Sequence, residues 1–109
     1  MEFSIDDPHY NDKMSAATAL YNVIDPELFV NIMDLGLVYD INFDTPEKVI
    51  ITMTLTTKHC PLGDAMKQGV NNVLGMAFPD REAEINVVWE PEWTLDNVTP
   101  EGRKELGMD

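Results

Sequence analysis

The single cysteine of the chain, Cys60, stands in the stretch TLTTKHCPLGDA, where an alternating apolar run stops and a helical period begins. A thiol directly ahead of a helix faces unpaired backbone N–H groups and the positive end of the macrodipole, and both favour the thiolate. A thiolate in that place is a nucleophile or a metal ligand. Lys58 adds positive charge, and His59 offers a second ligand or a proton acceptor. Asp64, expected on the first turn of the helix, competes for the same potential. Free cysteine is also among the most buried and inert residue types, so chemistry at Cys60 needs partners. Asp25 and Glu27, in Asp25-Pro26-Glu27, put two carboxylates on the loop after the first helix. Folded against the thiol they would serve as hard metal ligands or a general base; otherwise they end a helix and face water. The hydroxyls of Thr56 and Thr57, just before the Cys60 loop, would bond a bound group or cap the turn.

The elements that must position these residues follow from periodicity. Residues 1–11 read as a flexible acidic lead, and 12–109 as one domain. Ser15 is the expected cap of a helix over Ala16–Ile24, closed by Asp25-Pro26, because a residue before proline avoids the α region. Asp34-Leu35-Gly36 reads as a turn or bulge before a strand over Leu37–Phe43. In KVIITMTLTT, Val49, Ile51, Met53 and Leu55 alternate onto one face, completing a hairpin around Asp44–Glu47. From Pro61 onward Leu62, Ala65, Met66, Gly69, Val70, Val73 and Ala77 share a helical stripe, and Gly69 suggests a close approach to the sheet. Ala83, Ile85, Val87 and Trp89 face one side of a third strand, whose pairing partner stays open. Thr99, Pro100 and Gly107 mark the cap, first residue and stop of a terminal helix. The order α-β-β-α-β-α predicts an α/β (α+β) two-layer fold, helices on a small three-stranded sheet. Trp89 is expected in the core and Trp93 as a surface anchor for a partner, while the methionines read as core filler.

Composition narrows the function. At 109 residues with 44% hydrophobic and 25% charged residues, the chain is ordinary globular material. Seven lysines and arginines against twenty aspartates and glutamates give a net charge of −13, which disfavours nucleic acid; it serves solubility or, read functionally, a basic partner protein or a cation. No apolar run is long enough to cross a membrane, and the acidic N-terminus is unlike a secretory signal, so the expected location is cytoplasmic. One cysteine forms no internal disulfide. A Gly-rich phosphate loop, CxxC, HExxH and a serine nucleophile elbow are all absent from the sequence, so the common cofactor enzymes are not expected.

Three segments, VIDPELFVNIMDLGLVYDI, ITMTLTTKHCPLGDAM and VVWEPEWTLDNVTPEGRKELG, together resemble a small-domain family across nearly the whole chain from Met14. That family includes the SufT proteins of iron–sulfur cluster maturation, the core of the PaaD proteins, and eukaryotic components of cytosolic iron–sulfur protein assembly. The resemblance implies a two-layer α/β fold and a role in assembling, carrying or delivering iron–sulfur clusters, with assembly proteins and client apoproteins as partners. It carries the family's acidic motif onto Asp25, Glu27 and Leu28, its threonine pair onto Thr56 and Thr57, and its cysteine onto Cys60, all meeting at one cleft. Lys58-His59 replaces the Pro-Gly of many relatives, and the lack of a Cys-rich C-terminal extension favours the SufT-like branch. One thiolate does not hold a cluster that uses four ligands, so the resemblance implies a transient cluster or iron at Cys60, or a cluster bridging a homodimer. A further option is that the domain only recruits a cluster donor or a client. Two other readings stay open: a thiol enzyme with Cys60 as nucleophile and Glu27 or His59 as base, and a non-catalytic interaction adaptor.

Overall fold

The computed structural model describes residues 3–56 and 60–107, leaving aside the side chains of residues 60–62. The first helix, α1, runs over Tyr10–Leu20, earlier than the expected Ala16–Ile24. Ser15 is therefore an exposed mid-helix residue rather than a cap. The start is organised by Asp7, whose side chain accepts from the N–H of His9 at 2.7 Å and whose carbonyl accepts from Tyr10 N–H. Lys13, one turn into the helix, closes on the other Asp7 oxygen at 2.6 Å. This hydrogen bond first, and that from His9 second, hold the Asp7 carboxyl below the usual carboxylate range. The folded pKa lies under the unfolded one, so the resulting stability is present above the ordinary carboxylate range and is lost as pH falls through it. We expect the Asp7 carboxyl carbon, followed by NMR titration, to inflect at lower pH in the wild type than in Lys13→Met; coincident curves would contradict the ion pair.

The helix ends at Leu20 in a turn, so Asp25-Pro26 does not close it. Ala16, Ala17 and Leu20 are buried, and Val23 joins them after the helix, whereas Ile24 is half exposed. β1 (Val38–Asn42) and β2 (Lys48–Met53) form the expected antiparallel hairpin, with Ile41 opposite Ile51 and an irregularity between Val38 and Asp40. Val49, Ile51 and Met53 are fully buried, as their alternation requires. β3 (Glu82–Val87) lies parallel to β2, giving the order β1-β2-β3, with α2 (Cys60–Ala77) as the crossover.

Along α2 the buried row is Met66, Val70 and Leu74, while Ala65 and Ala77 are exposed. The helix is thus turned slightly from the expected stripe. A Cβ on Gly69 would stand 3.3 Å from Cγ1 of Val23, so the close approach is to the chain leaving α1 and not to the sheet. The terminal helix, α3 (Pro100–Glu105), has the expected punctuation: Thr99 Oγ1 accepts from Gly102 N–H, and Gly107 takes φ +76°. The two tryptophans exchange their expected roles. Trp93 packs against the core and donates its indole N–H to the Leu35 carbonyl at 2.6 Å, whereas Trp89 is 38% exposed.

Candidate functional site

Because β2 and β3 are parallel, the loops leaving their C-terminal ends emerge at one edge of the sheet. In open α/β sheets this is the edge where ligands gather. The β2 end is fixed by the Thr54 N–H donating to Leu37 O, and the β3 end by the Val88 N–H donating to Met53 O, both at 2.8 Å. Thr54 is buried and Thr56 half-buried. From there the chain enters α2, whose first residue is Cys60. Cys60 therefore sits at a helix N-terminus, at the same edge as the exit of β3. With the helix beginning at Cys60, its first turn carries no acidic residue, and Asp64 moves to the second turn. The competition expected from Asp64 is accordingly weaker, since end effects fade beyond the first turn. Thr57 and His59, with Lys58, lie outside the described residues, as does the Cys60 side chain.

A cleft of about 390 Å³ opens at this edge, lined by Thr54, Leu55, Thr56, Trp89, Glu90, Glu92 and Trp93. Its outer wall is the Trp89–Trp93 loop, and two side-chain hydrogen bonds help tie it to the rest of the fold. Tyr39 Oη donates to Pro91 O at 2.8 Å, and Trp93 donates to Leu35 O. Sequence reasoning found Thr56 and named both tryptophans but missed Glu90 and Glu92. Their signal was the segment WEPEW itself, two acids alternating with aromatic and proline residues directly after a strand.

The Asp25 loop divides its two carboxylates between separate tasks. Asp25 is 3% exposed, and its Oδ1 accepts from the N–H groups of Glu27 at 2.7 Å and Leu28 at 2.9 Å. Its backbone exchanges further bonds with Phe29 and Val30, closing the loop. Leu28 packs against the core, while Glu27 faces solvent. The segment runs back along α2: Ala19 and Asn22 share a groove with Val73, Met76 and Ala77, and Val23 meets Gly69. Val23, two residues before Asp25, thus meets α2 at Gly69, which is nine residues, or roughly 13 Å of helix, from Cys60. Removing the Asp25 carboxylate would orphan two N–H groups at a buried turn. Asp25→Ala is expected to lose about 1–3 kcal/mol in urea unfolding, and Asp25→Asn, which keeps the acceptor oxygen, less than half of that. Equal losses would show that the charge, not the acceptor, matters.

Among the described residues no group of three or more His, Cys, Asp or Glu side chains converges to hold a metal ion. A complete cluster-ligand set within one copy does not arise from them.

The family model described as iron–sulfur cluster assembly protein matches residues 15–87, from within α1 to the end of β3. The chain belongs to this family. Among similar members, the Fe-S protein maturation auxiliary factor YitW of Bacillus subtilis is 40% identical over 90 residues, covering 83% of this chain and 88% of that protein. The Fe-S protein maturation auxiliary factor SufT of Staphylococcus aureus is 40% identical over 86 residues, 79% of this chain and 98% of its own. A crystal structure of a domain of unknown function, DUF59, from Bacillus anthracis superposes with a TM-score of 0.84 at 37% identity, covering 92% of this chain and 95% of that one. The expected fold class and the SufT-like resemblance both hold. The iron–sulfur assembly family match takes in the Asp25 loop, the β2 exit and Cys60 as one continuous stretch.

Proposed function

We propose that this protein is an accessory factor of iron–sulfur cluster assembly or delivery, acting through the thiol of Cys60 beside the carboxylate-bearing Asp25–Glu27 loop. The observation that carries the reading is the family match over residues 15–87, joined by relatives named as Fe-S protein maturation auxiliary factors over most of their lengths. The helix start at Cys60 supports it chemically, because a first turn without acidic residues favours the thiolate that iron requires. Glu27, exposed on its loop, is the carboxylate open to exchange, and Asp25 holds the loop in shape. Thr56, just after β2, offers a hydroxyl ahead of Cys60, and Thr57 and His59 enter the proposal from their places in the sequence alone.

The cluster is cargo and not a resident group. One thiolate per chain leaves most of a cluster's ligands to be supplied by a second copy, a partner or small thiols, so transfer is favoured over storage. The partners are accordingly cluster-assembly proteins and client apoproteins. Deleting the gene in its host should lower the activity of several iron–sulfur enzymes under iron limitation while leaving their protein levels unchanged. Full activity of all of them in the deletion strain would refute the reading.

A further inference from the structure

We infer that the outer edge of β3 is a docking strand for an extended segment of a partner protein in which basic and apolar residues alternate. β3 ends the sheet order β1-β2-β3, and among the described elements it packs only against β2 and α2. The N–H of Glu82 donates to Glu47 O and that of Val88 to Met53 O, so the even-numbered residues turn their main chain toward β2. Alternation along the strand then points the N–H and C=O of Ala83, Ile85 and Val87 outward. Among the described residues none of these outward groups meets a donor or acceptor. A row of unpaired main-chain groups is a template for another strand. The other edge is less suited. β1 pairs with β2 through an irregularity between Val38 and Asp40, whereas β3 keeps register with β2 over six consecutive pairs. A bulge blunts an edge, and β3 carries neither a bulge nor a proline.

The β3 edge also has a floor and a wall. Asp64, Lys67, Gln68 and Asn71, which share one face of α2, line a groove of about 450 Å³ together with Ala83 and Ile85. A strand added to β3 lies along this groove, with every second side chain over Ala83 and Ile85. Both are only partly buried against the core, so apolar residues of the incoming strand complete their cover. Its other side chains fall beside Glu82 and Glu84, on the opposite face of the sheet. Lys48 meets Glu84 at 3.3 Å, and Glu82 has no ion pair among the described residues, so that row is net acidic and suits basic side chains. The net charge of −13 steers a basic segment toward the domain and opposes a second copy of it. Asp64 stands one turn of α2 beyond Cys60, so a docked segment is held near the start of that helix. This use of the edge rests on the function proposed above; the docking itself does not.

In the free chain the amides of Ala83, Ile85 and Val87 should exchange with deuterium faster than those of Glu84 and Asn86. Adding acetyl-Lys-Val-Lys-Val-Lys-amide to the full chain should shift the outward amides saturably and slow their exchange, and salt should weaken the binding. The same peptide N-methylated throughout keeps its side chains and charge but has no N–H to offer, and should leave those amides unchanged. Acetyl-Glu-Val-Glu-Val-Glu-amide should do the same. Glu82→Gln/Glu84→Gln should bind the basic peptide at least about fivefold more weakly, with an unaltered exchange pattern in the free chain showing that it folds. No shift with the basic peptide, equal binding of the N-methylated or acidic one, or undiminished binding by the double variant would overturn the assignment. Protection of the outward amides in the free chain that grows with its concentration would give the edge to a second copy and overturn it as well. Cys60→Ser should bind the basic peptide like the wild type. A chain that binds the peptide yet has no effect on iron–sulfur enzymes would refute the proposed function and leave the edge standing; the reverse outcome would sink the edge alone.

Discussion

Gly36→Ala is expected to destabilise the protein by at least about 3 kcal/mol, seen as a lowered urea midpoint with an unchanged slope. Two independent causes add. Gly36 has φ +74°, a conformation that side chains with a Cβ rarely adopt. A Cβ there would also overlap the Asn97 carbonyl oxygen and lie 2.9 Å from Asn97 Cβ. The obstacle is backbone, so no rotamer change relieves it. The C-terminal segment is laid over this turn: Thr99 N–H and Oγ1 both bond Asp34, and Trp93 bonds Leu35. Pushing it away would loosen the outer wall of the cleft. The variant should therefore show red-shifted tryptophan emission before global unfolding. A midpoint within the wild-type error would mean that the turn and the C-terminal segment are not packed as described.

Cys60→Ala should remove nearly all iron retained after incubation with ferrous iron, sulfide and a small thiol, along with the accompanying visible absorbance. No other cysteine exists to take its place. The fold should survive, because the core row of α2 is Met66, Val70 and Leu74, one turn and more beyond the substitution. Glu27→Gln should retain the thiol and lose a smaller share of bound iron, with unchanged unfolding. If Cys60→Ala holds as much iron as the wild type, the metal is bound elsewhere.

Much of the architecture could be read from local signals. The strict alternation of Val49, Ile51 and Met53 is a period-two pattern that only a strand buries. Thr99, Pro100 and Gly107 act within a few residues of one another, so their roles were legible without the tertiary fold. What escaped reading is in one case a choice between two local caps and in the other a contact between distant residues. Asp7 begins α1 because Lys13 and the His9 N–H meet it in space, whereas Ser15 looked as good a cap on paper. The fates of the tryptophans turn on the Leu35 carbonyl, which is 58 residues from Trp93 in the chain. The site shows the same division. Cys60, Thr56 and the Asp25 loop are marked by residue type, but Glu90 and Glu92 enter only once β3 is laid parallel to β2, bringing both strand exits to one edge.

The most direct test of the account is complementation. In a strain lacking this gene and grown with limiting iron, a plasmid encoding the wild type should restore iron–sulfur enzyme activities. An equally abundant Cys60→Ala protein should restore little or none. Equal restoration by the two would contradict the central claim, because the domain would then serve cluster maturation without its thiol.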